Sequence, residues 1–410
     1  MHHDLRLADG RQAHLRLDDA LNISLSGGLV YTLDLAGRLI GAFREGRNLR
    51  RGLDGRVLAR WRQAGAPRQR LWLDEGETAE LLAQLRADLG QLAALDLQPE
   101  FAQVVERGLS FDYAADVARF GAIYRPVAIL PPDQYQALVL QATEGCSFNT
   151  CTFCALYRGV RFRIKSEDEF ARHIEAVRAF FGPGLLLRRS IFLADANALI
   201  MPQSRLLPLL DVLHRAFEIM PDDLPPGQRR PWLAAHPTGI TGLYAFIDGL
   251  SAERKTVDDF RALRRLGLRR VYIGLESGHE PLLAWLRKPS TAAAMLDAVR
   301  RLKAAGVQVG VIVLTGVGGR RFDRGHIADT TAILDAMALA AGDLIYFSPF
   351  QPDPDAPYLA LAAADGVDAP DPALAQAQER AIRAALTLPP PGPASGGPQR
   401  VPYNLRDFVY

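Results

Sequence analysis

Cysteine is nearly absent from these 410 residues: there are three, at positions 146, 151 and 154. A disulfide framework is thereby excluded. Lysine is scarce too, with four residues against 44 arginines. No stretch of eighteen uncharged apolar residues occurs, so no membrane span is expected. The opening Met1-His2-His3-Asp4-Leu5-Arg6 lacks the basic-then-apolar profile of a secretory leader, and a cytoplasmic location is the expectation. Hydrophobic residues at 49% and charged residues at 23% are the balance of a folded chain, not a disordered one.

Net charge is +2, so composition does not mark the whole chain as a polyanion binder. Nine arginines nevertheless fall from Arg44 to Arg70 with only Glu45 and Asp54 among them, a local excess of seven positive charges. That stretch is a candidate RNA contact.

Three regions follow from the patterning. Residues 1–125 read as a small mixed α/β accessory region: Leu29–Leu33 and Leu39–Phe43 flank an Ala-Gly turn as a hairpin, and Leu81, Leu85, Leu89 and Leu92 mark one face of a helix. Residues 126–355 alternate short apolar strands with helices about six times. Strands are expected near 137–142, 190–194, 243–247, 270–274, 307–314 and 343–348, with helices near 203–218, 256–266, 292–304 and 325–340. The first helix is announced by the capping box Ser166-Glu167-Asp168-Glu169. The fold class is therefore α/β, a partial (β/α)6 TIM-like barrel with its chemistry at the C-terminal ends of the strands. Residues 356–410 form a short C-terminal extension, with a Pro/Gly linker at 387–399 and an aromatic tail from Val401 to Tyr410. That tail, with Tyr403, Phe408 and Tyr410, is expected to fold over the open barrel face as a lid.

The cysteines stand just past the first barrel strand, in Glu144-Gly145-Cys146-Ser147-Phe148-Asn149-Thr150-Cys151-Thr152-Phe153-Cys154. Three thiolates on one loop suit an iron–sulfur cluster or zinc. Structural zinc asks for a fourth ligand; no other Cys exists, and the nearest His, His173, sits inside the first predicted helix. A C-x4-C-x2-C loop after the first strand of a six-unit barrel resembles the radical S-adenosylmethionine (radical SAM) superfamily. The common spacing there is C-x3-C-x2-C, so the longer spacer is similar to that of a stand-alone group within it.

The resemblance implies a [4Fe–4S] cluster on Cys146, Cys151 and Cys154, S-adenosyl-L-methionine as second cofactor, and reduced flavodoxin or ferredoxin as electron donor. It also implies cofactor contacts from Phe153, from Asp195 and Asn197 after the second strand, from Glu276 and Ser277 after the fourth, and from Gly316 after the fifth. Each has a plainer reading: core for Phe153, turn caps for Asp195 and Asn197, a surface acid for Glu276, a simple turn for the glycine. Tyr157, Arg158, Arg161, Phe162 and Arg163 read as a rim for an anionic substrate or as a solvated loop. His236, His279 and His326 lie near strand ends. With a single cysteine cluster, two-cluster sulfur insertion is disfavoured. The substrate stays open, as do an RNA-modifying enzyme and a non-catalytic iron–sulfur or zinc protein.

Overall fold

The computed structural model describes residues 1–63, 65, 68–392 and 395–410. Residues 64, 66 and 67 of the arginine-rich stretch, and 393 and 394 of the Pro/Gly linker, lie outside the described residues. No helix among the described residues is long and apolar enough to cross a membrane.

The first region is more than a hairpin. Eight strands between His2 and Trp72 form one antiparallel meander in sequence order. The expected hairpin is its fourth and fifth strands, Leu29–Asp34 and Leu39–Arg44. The next turn, Glu45-Gly46, joins the paired Arg44 and Arg47 with both φ angles positive (52° and 75°). Such two-residue turns match the natural twist of paired strands. Alternation supplies one buried face, with Leu15, Ile23, Tyr31 and Leu33 packed on Leu85, Leu89 and Phe101 of the helices Glu75–Ala93 and Pro99–Leu109.

The meander is tied to the barrel through Arg38, which is 1% exposed. Its guanidinium donates to Asp34 (2.7 Å), to Asp116 of the helix Tyr113–Ile123 (2.7 Å), and to the Phe180 carbonyl of the first barrel helix (3.2 Å). It also lies 4.6 Å from the Phe180 ring centroid. A buried charge persists only when its donors are satisfied, and here two carboxylates do so.

The barrel strands are Leu138–Gln141, Ile191–Ala194, Leu243–Phe246, Leu268–Glu276, Gln308–Thr315 and Leu344–Pro349, all parallel and neighbours in sequence order. All six lie where the alternating pattern puts them, because strands buried on both faces are runs of mostly apolar residues that stand out against amphipathic helices. The helices, Glu167–Phe181 through Asp323–Ala336, pack outside.

The C-terminal extension departs from expectation. Gln399–Pro402 is a seventh parallel strand, paired with Leu344–Phe347. The chain then crosses the open seam between this strand and the first. Tyr403 Oη donates to the Leu130 carbonyl (2.7 Å), and Tyr410 Oη accepts from the Val139 amide (2.9 Å) on the far edge. Tyr410 also packs on Phe120 and Tyr124. The tail is thus a structural plug in the barrel's side, and only Tyr403 and Leu405 of it reach the cavity at the strand ends. Pairing its backbone and burying its aromatics answers two demands at once: an unpaired strand edge and an open apolar core.

Because Tyr410 is buried in that seam, Tyr410→Ala should lower the free energy of unfolding by about 3–5 kcal/mol. The shift of the urea midpoint measures it; a free lid would leave the midpoint unchanged.

Candidate active site

The first barrel strand ends at Gln141, and the chain returns at Arg163 to pair Thr143–Glu144 with Arg163–Ile164. This two-residue ribbon closes the cysteine loop at its base. Glu144 is held there by Arg163 (2.8 Å) and Lys165 (3.2 Å), which keep its carboxyl below the usual range. Gly145 follows with φ +76°; a side chain there would press on the Val160 carbonyl at 3.1 Å. The four-residue spacer turns at Asn149, φ +51°, a left-handed conformation that Asn tolerates. The Asn149 amide points at Cys146 Sγ (3.4 Å), and its side chain donates to the Tyr157 carbonyl (2.8 Å). The Thr152 amide donates to the Leu286 carbonyl (3.0 Å), fastening the loop across the barrel.

All three cysteines are half-buried and line one cavity of 270 Å³ at the C-terminal ends of the barrel strands. Burial pushes the Cys151 thiol up to about 12 and raises that of Cys154, while the Lys288 ammonium pulls both back. Lys288 Nζ donates to Glu276 (2.8 Å) and lies 6.0 Å from the Phe153 ring centroid. Glu276 adopts φ +59°, rare for a side-chain-bearing residue. The pair folds over Gly274, where a Cβ would come within 2.3 Å of the Glu276 carboxylate. Asn197, also in the cavity lining, is 3% exposed. Its amide nitrogen donates to Ser251 Oγ (2.8 Å) and to Asp248, and its Oδ1 is buried without a partner.

Three of the six expected contact residues, Phe153, Asn197 and Glu276, thus line the cavity with the cysteines. The other three stand behind its wall. Asp195 accepts from the Gln141 side chain (2.8 Å) and from the Gly145 amide (3.0 Å), immediately before Cys146. Ser277 is fully buried against His326 (2.8 Å). The Gly316 amide donates to Gln378 of the helix Pro372–Ala385 (2.6 Å).

The histidines are occupied elsewhere: His236 contacts the Trp232 carbonyl (2.7 Å), and His279 pairs with Asp329 (2.6 Å). Of the rim residues, Tyr157 is buried in the cavity wall, Arg163 pairs with Glu144 and Glu169, and Arg158 and Arg161 face outward. Lys288, Asp248, Gln351 and Leu405 also line the cavity and went unread in the sequence, and Tyr403, expected only as a tail aromatic, lines it with them. Lys288 carried a signal, as one of four lysines; the others became site residues only through the barrel's closure.

Among the described residues, no three His, Cys, Asp or Glu side chains are gathered around one metal-ion position. A cluster bonds each thiolate to a different iron, so it asks for sulfurs set around a shared cavity rather than converging on a point. Three thiols around one cavity, an amide aimed at Cys146 Sγ and a buried ammonium beside Cys151 fit that demand.

Residues 245–332 match the model of the radical SAM superfamily. Among solved structures, the chain overlaps the cobalamin-dependent S-adenosylmethionine radical enzyme OxsB at 14% identity, over 65% of this chain and 39% of that one, with a TM-score of 0.38. It overlaps methylornithine synthase (PylB) at 13% identity, over 75% and 76%, with a TM-score of 0.39. It overlaps coproporphyrinogen III oxidase (HemN) from Escherichia coli at 12% identity, over 65% and 54%, with a TM-score of 0.41. The chain spans between 27% and 39% of the length of the OxsB structures it matches. Scores this low carry no weight on substrate or mechanism. No curated protein matches the sequence.

The loop's support titrates. His173 Nε2 accepts from the Gln141 amide (3.1 Å), and burial depresses its pKa from 6.5 to about 3. Between these values the unfolded chain binds a proton that the folded one refuses, so stability is full above pH 6.5 and is lost as pH falls. Asp195, raised by burial from 3.8 to about 6, acts oppositely: the folded form keeps a proton that the unfolded one releases, so its cost appears as pH rises through that window. His173→Gln keeps an acceptor and isolates the first effect. Between about pH 6 and pH 4 the wild type should lose about 1.4 kcal/mol per pH unit more than the variant, measured by urea unfolding.

Proposed function

From a chain that carries a radical SAM domain over residues 245–332, we infer an enzyme that holds one [4Fe–4S] cluster on Cys146, Cys151 and Cys154 and cleaves S-adenosylmethionine reductively to begin radical chemistry on its substrate. The observation that carries this reading is the placement of all three thiols of the chain on one loop around one cavity at the C-terminal ends of the parallel strands. When bound, the cluster supplies one electron that splits a carbon–sulfur bond of the sulfonium.

The chain's own residues have distinct tasks. The three thiolates bind the irons, and the Lys288 ammonium offsets part of their charge on the Cys151 side. Asn197 Oδ1, buried and unpartnered, accepts a hydrogen bond from an ammonium or hydroxyl of the sulfonium cofactor. Glu276 accepts another, with Lys288 holding its carboxylate in place. Phe153 gives a flat apolar contact, and Ile312, Leu314 and Phe350 keep water from the reacting groups. Asp195 is a positioning residue that holds the amide before Cys146. The electron comes from reduced flavodoxin or ferredoxin.

The RNA-modifying alternative draws little support from Arg44–Arg70. Arg50 donates to the Tyr135 carbonyl and Arg51 to Asp116, both inward, while Arg44, Arg56 and Arg70 pair with Glu80, Asp54 and Asp407.

Anaerobic reconstitution with iron and sulfide should load one four-iron cluster per chain, and Cys→Ala at 146, 151 or 154 should abolish it, as read by iron analysis and electron paramagnetic resonance. Zinc in place of iron, with iron not taken up, would falsify the reading. Asn197→Ala should weaken S-adenosylmethionine binding by about tenfold, a loss of about 1.4 kcal/mol, whereas Asp222→Ala, at a carboxylate paired with Arg264 outside the cavity lining, should leave it unchanged. Equilibrium dialysis with labelled cofactor checks both.

A further inference from the structure

The outer face of the cysteine loop is unlike the rest of the loop surface. Phe148 and Leu156 are each 38% exposed, among the few large apolar side chains that reach solvent. Both also line the cavity, so they stand at the boundary between the thiols and the outside. From Gly145 to Lys165 there are four cationic residues and no acidic one. Arg163 and Lys165 are neutralised by Glu144 and Glu169, but Arg158 and Arg161 are exposed and outward. Arg161 makes no ion pair or hydrogen bond among the described residues. The Arg158 side chain makes one hydrogen bond, to the carbonyl of Cys154 itself (3.4 Å). Arg125, its side chain 68% exposed and its guanidinium 4.0 Å from the Glu144 carboxylate that Arg163 and Lys165 already share, adds a third cation at the base of the loop.

We propose that this face, Phe148 and Leu156 ringed by Arg125, Arg158 and Arg161, is the docking surface for an acidic, low-potential one-electron carrier protein of the flavodoxin type. The proposal rests on the cluster reading above. Electron tunnelling falls steeply with distance, so a carrier must seat its redox centre close to the thiols, and at the cysteine loop Phe148 and Leu156 are both exposed and in the wall of the thiol cavity. A small apolar contact inside a ring of one charge sign suits a transient partner of opposite sign, drawn in by long-range attraction and released quickly. An RNA would ask for several exposed aromatics to stack its bases, and this loop exposes one, Phe148. In the transfer, the carrier's hydroquinone loses one electron, the cluster gains it, and no bond to the chain is made or broken.

The test uses the reconstituted holoprotein, flavodoxin hydroquinone as probe, and the double variant Arg158→Glu/Arg161→Glu, with Arg158→Gln/Arg161→Gln as the milder partner. Anaerobic stopped-flow at low salt should show cluster reduction by flavodoxin slowed about tenfold or more in the charge-reversed protein and less in the neutral one. Rising salt should slow the wild type and flatten the difference. Reduction by dithionite, which needs no docking, should be equal in all three proteins. Equal flavodoxin rates with intact dithionite reduction would overturn this surface alone. Failure of dithionite to reduce a cluster in the wild type would overturn the functional reading instead. Tight binding of a single-stranded RNA oligonucleotide that depends on the same arginines, without any effect of those arginines on flavodoxin reduction, would assign the face to nucleic acid and sink the proposal.

Discussion

One buried carboxylate organises the active end of the barrel. Asp195, at the end of the second strand, takes the side chain of Gln141 from the first strand and the amide of Gly145 at the start of the cysteine loop. Thr143 adds a reciprocal pair, donating to the Ala194 carbonyl and accepting from the Asp195 amide. Two adjacent strand ends are thereby locked, and the loop leaves them in a defined direction. Without that lock, three thiols on a flexible segment would have to lose considerable conformational entropy on binding a cluster. Lys165 and His173, donating to the Gln141 carbonyl and accepting from its amide, extend the support into the first barrel helix.

The second constraint is the open barrel. Seven strands in one sheet leave two edges, and the cavity lies within the curl. The seam is filled by the chain's own last residues, which bring Tyr403 and Leu405 to the cavity wall. Stability and site shape are therefore coupled: the segment that closes the core also finishes the pocket. The N-terminal meander joins at the same seam, since the Leu53 amide donates to the Tyr410 carbonyl (2.7 Å). Most of the arginines that look like a basic patch in the sequence are used in this assembly or neutralised on its surface.

Much of the barrel was legible beforehand, and the meander was not. Buried parallel strands are continuous apolar runs, as in Ile191–Ala194 or Val309–Leu314, and the capping box at Ser166 marks a helix start by local chemistry alone. Strands such as Arg47–Arg51 and Gln69–Trp72 have short, charge-rich alternations that also occur in loops. Only their pairing with neighbours makes them strands. The tail misled for a related reason: its aromatics announced burial, but not against what.

At the site, the thiol chemistry is legible from residue order alone, because three cysteines on one loop with no fourth leave few alternatives, and the strand ends where partners would be found are legible with it. Tertiary structure decided which of those residues face the cavity. Asn197 and Glu276 turn in, whereas Asp195, Ser277 and Gly316 turn back to hold the frame. Period and spacing are properties of a short segment, but the direction a side chain takes at a strand end depends on which distant group meets it. Gln141 meets Asp195, His326 meets Ser277, and Lys288 meets Glu276 only after the chain has closed its barrel.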